Sequence, residues 1–214
     1  MEIQKDTVFS KKKECGRRNE ERKMQNNLIF IGMPASGKST IGVVTAKRLG
    51  YQFIDTDLMI QEREGKLLWE IIAEKGSDGF LEIEDQVNAS VEAERAVIAP
   101  GGSVVYCEHA MKHYKEIGMI VYLHVPYTEI EARIQNARSR GVVLRDGQTL
   151  RELYDERCRL FDQYADVRIN EDGLSMGETV EKVLAILGEI RGDTEEKQSG
   201  LFQTAPEDTS RNVK

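Results

Sequence analysis

A run of four apolar residues, Leu28-Ile29-Phe30-Ile31, leads into Gly32-Met33-Pro34-Ala35-Ser36-Gly37-Lys38-Ser39-Thr40, and Ile41 to Leu49 follow at helical spacing. Strand, glycine-bounded loop and helix in that order, with the loop ending Gly-Lys-Ser, form the context that a phosphate-binding P-loop requires. Backbone N–H groups of such a loop converge on polyphosphate oxygens, and the helix adds its positive N-terminal end at the same point. Gly32, Pro34, Ala35, Ser36, Gly37, Lys38, Ser39 and Thr40 are therefore candidate nucleotide contacts. Lys38 is expected to reach the β- and γ-phosphates, and the Ser39 hydroxyl to take a place on Mg²⁺. The stretch implies a nucleoside triphosphate as ligand.

The 214 residues suit one α/β domain with tails. A net charge of −7 argues against a nucleic-acid surface, which needs a concentrated basic face. The three cysteines, Cys15, Cys107 and Cys158, lack C-x-x-C spacing, so neither a disulfide framework nor a zinc knuckle is indicated. No apolar run approaches the roughly 20 residues of a membrane span. A cytoplasmic monomer with no membrane or nucleic-acid partner is expected. Residues 1–26 mix Lys/Arg clusters with acids and show almost no apolar periodicity, which predicts a flexible tail, and residues 192–214 are polar and aperiodic in the same way. The structured domain is expected over residues 27–191.

Between the tails, strand alternates with helix, the signature of a parallel sheet covered on both faces. Expected strands are Leu28–Ile31, Gln52–Ile54, Ala96–Ala99, Met119–Val125 and Val167–Ile169. Helical patterns fill Gly37–Leu49, Leu58–Glu64, Leu67–Lys75, Gly79–Glu94, Glu108–Lys115, Thr128–Arg138, Leu150–Tyr164 and Met176–Arg191. Ligands of open α/β sheets sit beyond the carboxyl ends of the strands, so the chemistry is sought in the loops there.

The second strand ends in Asp55-Thr56-Asp57. If strand conformation persists, both carboxylates leave on one face, and one serves Mg²⁺ while the other accepts the proton of an attacking hydroxyl. The competing reading makes Asp57 the N-cap of the helix that follows. After the third strand, Gly101-Gly102 in Pro100-Gly101-Gly102-Ser103 let backbone approach a ligand, as they also would in a tight turn without function. Arg133, Arg138, Arg140 and Arg145 crowd a basic segment that reads either as a solvated charge run or as a loop closing over nucleotide. Arg157 lies on the late helix, where an ordinary surface arginine is the alternative.

Together these residues resemble the shikimate kinases over about residues 27–191. The resemblance rests on Gly32-x4-Gly37-Lys38-Ser39, on Phe53-Ile54-Asp55-Thr56-Asp57 with Ile60 and Arg63-Glu64-Gly65, and on Gly79-Phe80-x3-Glu84. It continues through Gly101-Gly102, Arg140 and Leu153-Tyr154-x2-Arg157-x6-Tyr164-Ala165-Asp166. It implies a three-layer P-loop kinase fold, with a five-stranded parallel sheet and a mobile lid at about Ser139 to Thr149, and ATP- and Mg²⁺-dependent phosphorylation of a shikimate hydroxyl. By position, Asp57 matches the aspartate that holds the ring hydroxyls and assists deprotonation, and Asp55 the carboxylate near Mg²⁺. Gly101 and Gly102 match the substrate-contacting turn, Arg157 the arginine on the substrate carboxylate, Arg140 the lid arginine and Arg133 a nucleotide-side arginine. Three positions depart from the pattern. Leu81 stands where the family has arginine, Ser103 replaces a third glycine, and Gly141 follows Arg140 where proline is usual. A same-fold kinase for another polyol or hydroxy acid, or a nucleotide-binding regulator without turnover, are the alternatives.

Overall fold

The computed structural model describes residues 27–136 and 147–191. Both expected tails, and Arg138, Arg140, Arg145 and most of the expected lid, lie outside the described residues. Five strands, β1 (Asn27–Ile31), β2 (Gln52–Asp55), β3 (Ala96–Ala99), β4 (Gly118–His124) and β5 (Val167–Asn170), pair in parallel in the order β2-β3-β1-β4-β5. The P-loop strand is thus central. Every residue of β1 is buried, because both sheet faces are covered, and this is why it reads as a continuous apolar run.

Alternation along β1 divides its side chains between two layers. Leu28 and Phe30 pack with Ile41 and Ala46 of α1 (Lys38–Leu49) and with Val180, Val183 and Leu187 of α7 (Met176–Arg191). Ile29 and Ile31 face the other way, toward Ala110, Met111 and Tyr114 of α4 (Glu108–Ile117) and Leu153 and Phe161 of α6 (Leu150–Tyr164). Each such fully buried side chain contributes about 1.5–3 kcal/mol, so the central strand is a strongly fixed platform for the loop at its end.

A third, smaller cluster stands beside the sheet: Ile60 of α2 (Thr56–Glu64) with Ile71, Phe80, Ile83 and Val87 of α3 (Leu68–Ala89). The two helices expected over Leu67–Lys75 and Gly79–Glu94 are one element interrupted at Gly76, whose φ of 70° and ψ of 179° only glycine adopts readily. It ends at Ala89, earlier than expected. Asn88 Nδ2 donates to the Glu84 carbonyl and Ser90 Oγ to the Val87 carbonyl, which closes the helix with side chains. The remaining described helix, α5 (Tyr127–Asn136), follows β4.

Candidate active site

The expected loops meet around one cavity of about 420 Å³ at the carboxyl edge of the sheet. Pro34, Ala35, Gly37, Lys38, Ser39 and Thr40 line it together with Asp57, Gly101, Gly102 and Arg157. Lys38 is held in place by its own loop: Nζ donates to the carbonyls of Gly32 and Met33, each at 3.0 Å. Gly32 and Ser36 are buried in the loop and outside the cavity lining, so their contribution is to its shape. Arg133 approaches the same loop, with Nη1 donating to the carbonyls of Ala35 (3.2 Å) and Ser36 (3.4 Å) and Nη2 paired with Glu129 at 2.9 Å.

Asp55 and Asp57 divide differently from the expected common face. The strand ends at Asp55 and the helix begins at Thr56, so the two side chains do not alternate along a strand. Asp55 is the N-cap: its Oδ1 accepts from the Asp57 N–H at 3.1 Å. The cap and the candidate base are therefore neighbouring aspartates with different tasks, and Asp57 is left to line the cavity. Burial raises the Asp57 carboxyl to about 6, Asp55 pushes the same way, and Lys38 opposes them.

The Gly101-Gly102 turn fits where no larger residue would. A Cβ on Gly101 would collide with Glu84 Oε1 and stand 2.9 Å from Asp57 Oδ1, and one on Gly102 would lie 2.7 Å from Pro34 Cδ. The turn is thus wedged between the P-loop and two acids, which is more than a tight turn requires. Arg157 is delivered by α6, whose start is fixed by a reciprocal cap: Thr149 Oγ1 accepts from the Glu152 N–H and Glu152 Oε2 from the Thr149 N–H. The helix buries Leu153, Tyr154, Arg157 and Phe161 on one stripe, so Arg157 is 1% exposed, with its guanidinium carbon 5.3 Å from the Tyr106 ring centroid. An ordinary surface arginine is excluded.

Glu84 is the functional side chain that the sequence reading did not single out as a site residue. It is fully buried, lines the cavity, and burial raises its carboxyl to about 7; Ser103 and Arg157 oppose that shift and Asp57 adds to it. An acid among Phe80, Ile83 and Val87 on the buried stripe of α3 was the available signal. Gln61, Leu67, Leu68, Trp69, Ile72 and Phe80 also line the cavity. Leu81 is not part of that lining; it packs against the α4–α6 layer, and its carbonyl accepts from the Cys107 thiol at 3.6 Å. Behind the P-loop, Glu171 is also buried and raised to about 7 by burial, with Arg133 opposing.

A family profile described as shikimate kinase matches residues 34–188. A shikimate kinase of Persephonella marina is 31% identical over 166 residues, covering 77% of this chain and 99% of its own. One of Nostoc sp. is 38% identical over 146 residues, 67% of this chain and 80% of its own. Among solved structures, shikimate kinase from Acinetobacter baumannii in complex with shikimate superposes with a TM-score of 0.66 at 25% identity, covering 82% of this chain and 97% of that one. The enzyme from Bacteroides thetaiotaomicron gives 0.63 at 27% identity, over 75% and 97% of the two chains. With the P-loop, Asp57, the glycine turn and the buried arginine already assembled around one cavity, the chain belongs to the shikimate kinase family.

Proposed function

We propose that this protein transfers the γ-phosphoryl group of ATP to a ring hydroxyl of shikimate, giving shikimate 3-phosphate. The observation that carries the reading is the shared cavity, lined at once by the P-loop lysine, an aspartate, a glycine turn and a buried arginine. Lys38 neutralises charge on the β- and γ-phosphates. Asp57 accepts the hydroxyl proton as oxygen attacks phosphorus, and a carboxyl raised to about 6 is ionised at neutral pH yet basic enough for that task. Arg157 pairs with the acceptor carboxylate, and the turn at Gly101-Gly102 lets the acceptor ring approach backbone. Arg133 steadies the loop from the nucleotide side through the Ala35 and Ser36 carbonyls.

The Ser39 hydroxyl and the Asp55 carboxylate are hard oxygen donors of the kind Mg²⁺ prefers, and Asp55 uses one oxygen in its cap. When bound, Mg²⁺ supplies charge neutralisation on the phosphates. Arg140, outside the described residues, keeps the lid role that the resemblance implies. Among the described residues no helix is long and apolar enough to cross a membrane, and we read the protein as a cytoplasmic monomer.

The test is ADP formation with ATP and Mg²⁺ over a panel of hydroxylated acids. Shikimate is expected to raise it and to appear as a monophosphate ester. A response to another hydroxy acid or polyol, or to none, with shikimate inert overturns the reading. Within it, Gly101→Ala is expected to raise the KM for shikimate roughly ten- to hundredfold and leave the KM for ATP nearly unchanged. The added methyl must displace Glu84 or Asp57, an overpacking cost of about 1–3 kcal/mol. Steady-state kinetics with each substrate varied in turn measures that split.

A further inference from the structure

Four charged side chains line the cavity among the described residues: Lys38, Asp57, Glu84 and Arg157. Lys38 belongs to the phosphates and Asp57 to the reacting hydroxyl, so one guanidinium and one further carboxyl remain for the rest of the acceptor. Leu81 adds no charge there, being half-buried against the core and outside the cavity lining. A carboxylated acceptor thus brings a second anion to a place already holding Glu84, with Arg157 as the cation available to both. Two buried carboxylates beside one guanidinium is an expensive arrangement. A carboxyl group that keeps its proton removes the difficulty, because it becomes a donor where the ionised group is acceptor-only.

The geometry suits that state. Glu84 is buried to 0% exposure, and its Oε2 faces the Cys107 thiol at 3.9 Å. Its Oε1 has no hydrogen-bond partner among the described residues and is buried against Gly101, and both residues belong to the cavity wall. The groups around it come from every side: Asp57 from α2, Lys38 from α1, Arg157 from α6, Tyr114 from α4, and Ser103 and Cys107 from the segment after β3. The thiol and the phenol stay neutral, since burial pushes both upward. Burial outweighs the two cations and raises the Glu84 carboxyl to about 7.

We propose that Glu84 is a recognition residue that keeps its proton when the acceptor binds and donates it, from Oε1, as a hydrogen bond to the acceptor carboxylate held by Arg157. This rests on the reading of the acceptor as shikimate. An O–H···O⁻ bond to a charged group belongs to the stronger class of hydrogen bonds, and it shares the task of Arg157 without a second cation. Binding then depends on pH with a defined sign. Below about 7 Glu84 already carries the proton; above it, each bound acceptor must draw one proton from solvent, and affinity falls about tenfold per pH unit.

Calorimetric titration of the full chain with shikimate, in pairs of buffers of different ionisation enthalpy from pH 6 to pH 9, reads this directly. Wild type is expected to take up close to one proton per bound shikimate at the alkaline end and almost none at pH 6. Glu84→Gln, whose amide N–H donates at any pH, is expected to bind with little proton uptake and a nearly flat Kd, which also separates Glu84 from the other raised carboxyls, Asp57 and Glu171. Binding by wild type without alkaline proton uptake overturns the proposal, as does uptake that persists in Glu84→Gln. A third measurement needs no acceptor. The infrared band of a buried carboxylic acid is expected in the free protein at pH 6 and should diminish in Glu84→Gln, and an identical band in both overturns the protonated state. No shikimate binding at any pH overturns the acceptor reading and this proposal with it, whereas binding without proton uptake overturns this proposal alone.

Discussion

Asp57→Asn is expected to lower kcat for shikimate phosphorylation by about 10²–10⁴-fold, the range that a positioned general base supplies. Asparagine keeps the size and planarity of the side chain and removes its basicity, so the cavity, the Asp55 cap and the P-loop should be undisturbed. The KM for ATP should therefore change little. The pH profile gives an independent reading. The carboxyl is raised to about 6 by burial and by Asp55, so wild-type kcat/KM should fall as pH drops below about 6, where Asp57 takes up its proton and ceases to be a base. Asp57→Asn should lose that acid limb along with the rate. A variant that retains near wild-type kcat, or keeps the limb, removes Asp57 from the proton-transfer step.

Lys38→Met is expected to reduce kcat by about 10²–10³-fold, comparable to deleting one preorganised charge-stabilising donor, and to raise the KM for ATP as well. Methionine preserves the length of the stem and most of its packing. Its loss has a second consequence that Asp57→Asn lacks. Nζ donates to the Gly32 and Met33 carbonyls, and removing it takes a donor from both while Met33 keeps the Ser36 N–H, so the ligand-free variant should also be less stable by about 0.5–1.5 kcal/mol. Thermal unfolding without nucleotide measures that loss, and steady-state kinetics the first. Unchanged turnover in Lys38→Met would show that the ammonium shapes the empty loop only.

Both variants concern residues whose place at the carboxyl edge of the sheet was readable in the chain, for a physical reason. The P-loop is a local device: strand, loop and helix are contiguous, and the residue types follow from backbone geometry and phosphate charge. Strand ends were legible to within about one or two residues because a sheet covered on both faces leaves continuous apolar runs. The Asp55-Thr56-Asp57 ambiguity was not soluble from the pattern, since it turns on where strand conformation stops. The structure stops it at Asp55, so the cap and the cavity carboxylate are adjacent residues. Arg157 could be a site arginine or an ordinary surface one on the pattern alone, and α6 decides between them by burying the stripe on which it lies. Glu84 was hardest to read. Its importance arises from Gly101, 17 residues later, pressing against its carboxyl, and nothing local announces that contact. Leu81 illustrates the reverse case: a residue marked by comparison alone proves to face the core.

The break at Gly76 has a consequence for cooperativity. It separates α3 into a first half, where Ile71 is buried, and a second half anchored by Phe80, Ile83, Glu84, Val87 and Asn88. The chain leaves helical φ and ψ at Gly76, so opening the first half need not unzip the second. With Ile71 as its one fully buried apolar side chain and Leu68 and Ile72 only partly buried, that half should belong to the low-stability end of the molecule, and its amides should exchange with solvent before those beyond Gly76. It also carries Leu68, Trp69 and Ile72, which line the cavity. The chain's single tryptophan, 57% exposed, sits on this unit, so its emission is a natural gauge of how firmly an occupied cavity holds the wall shut.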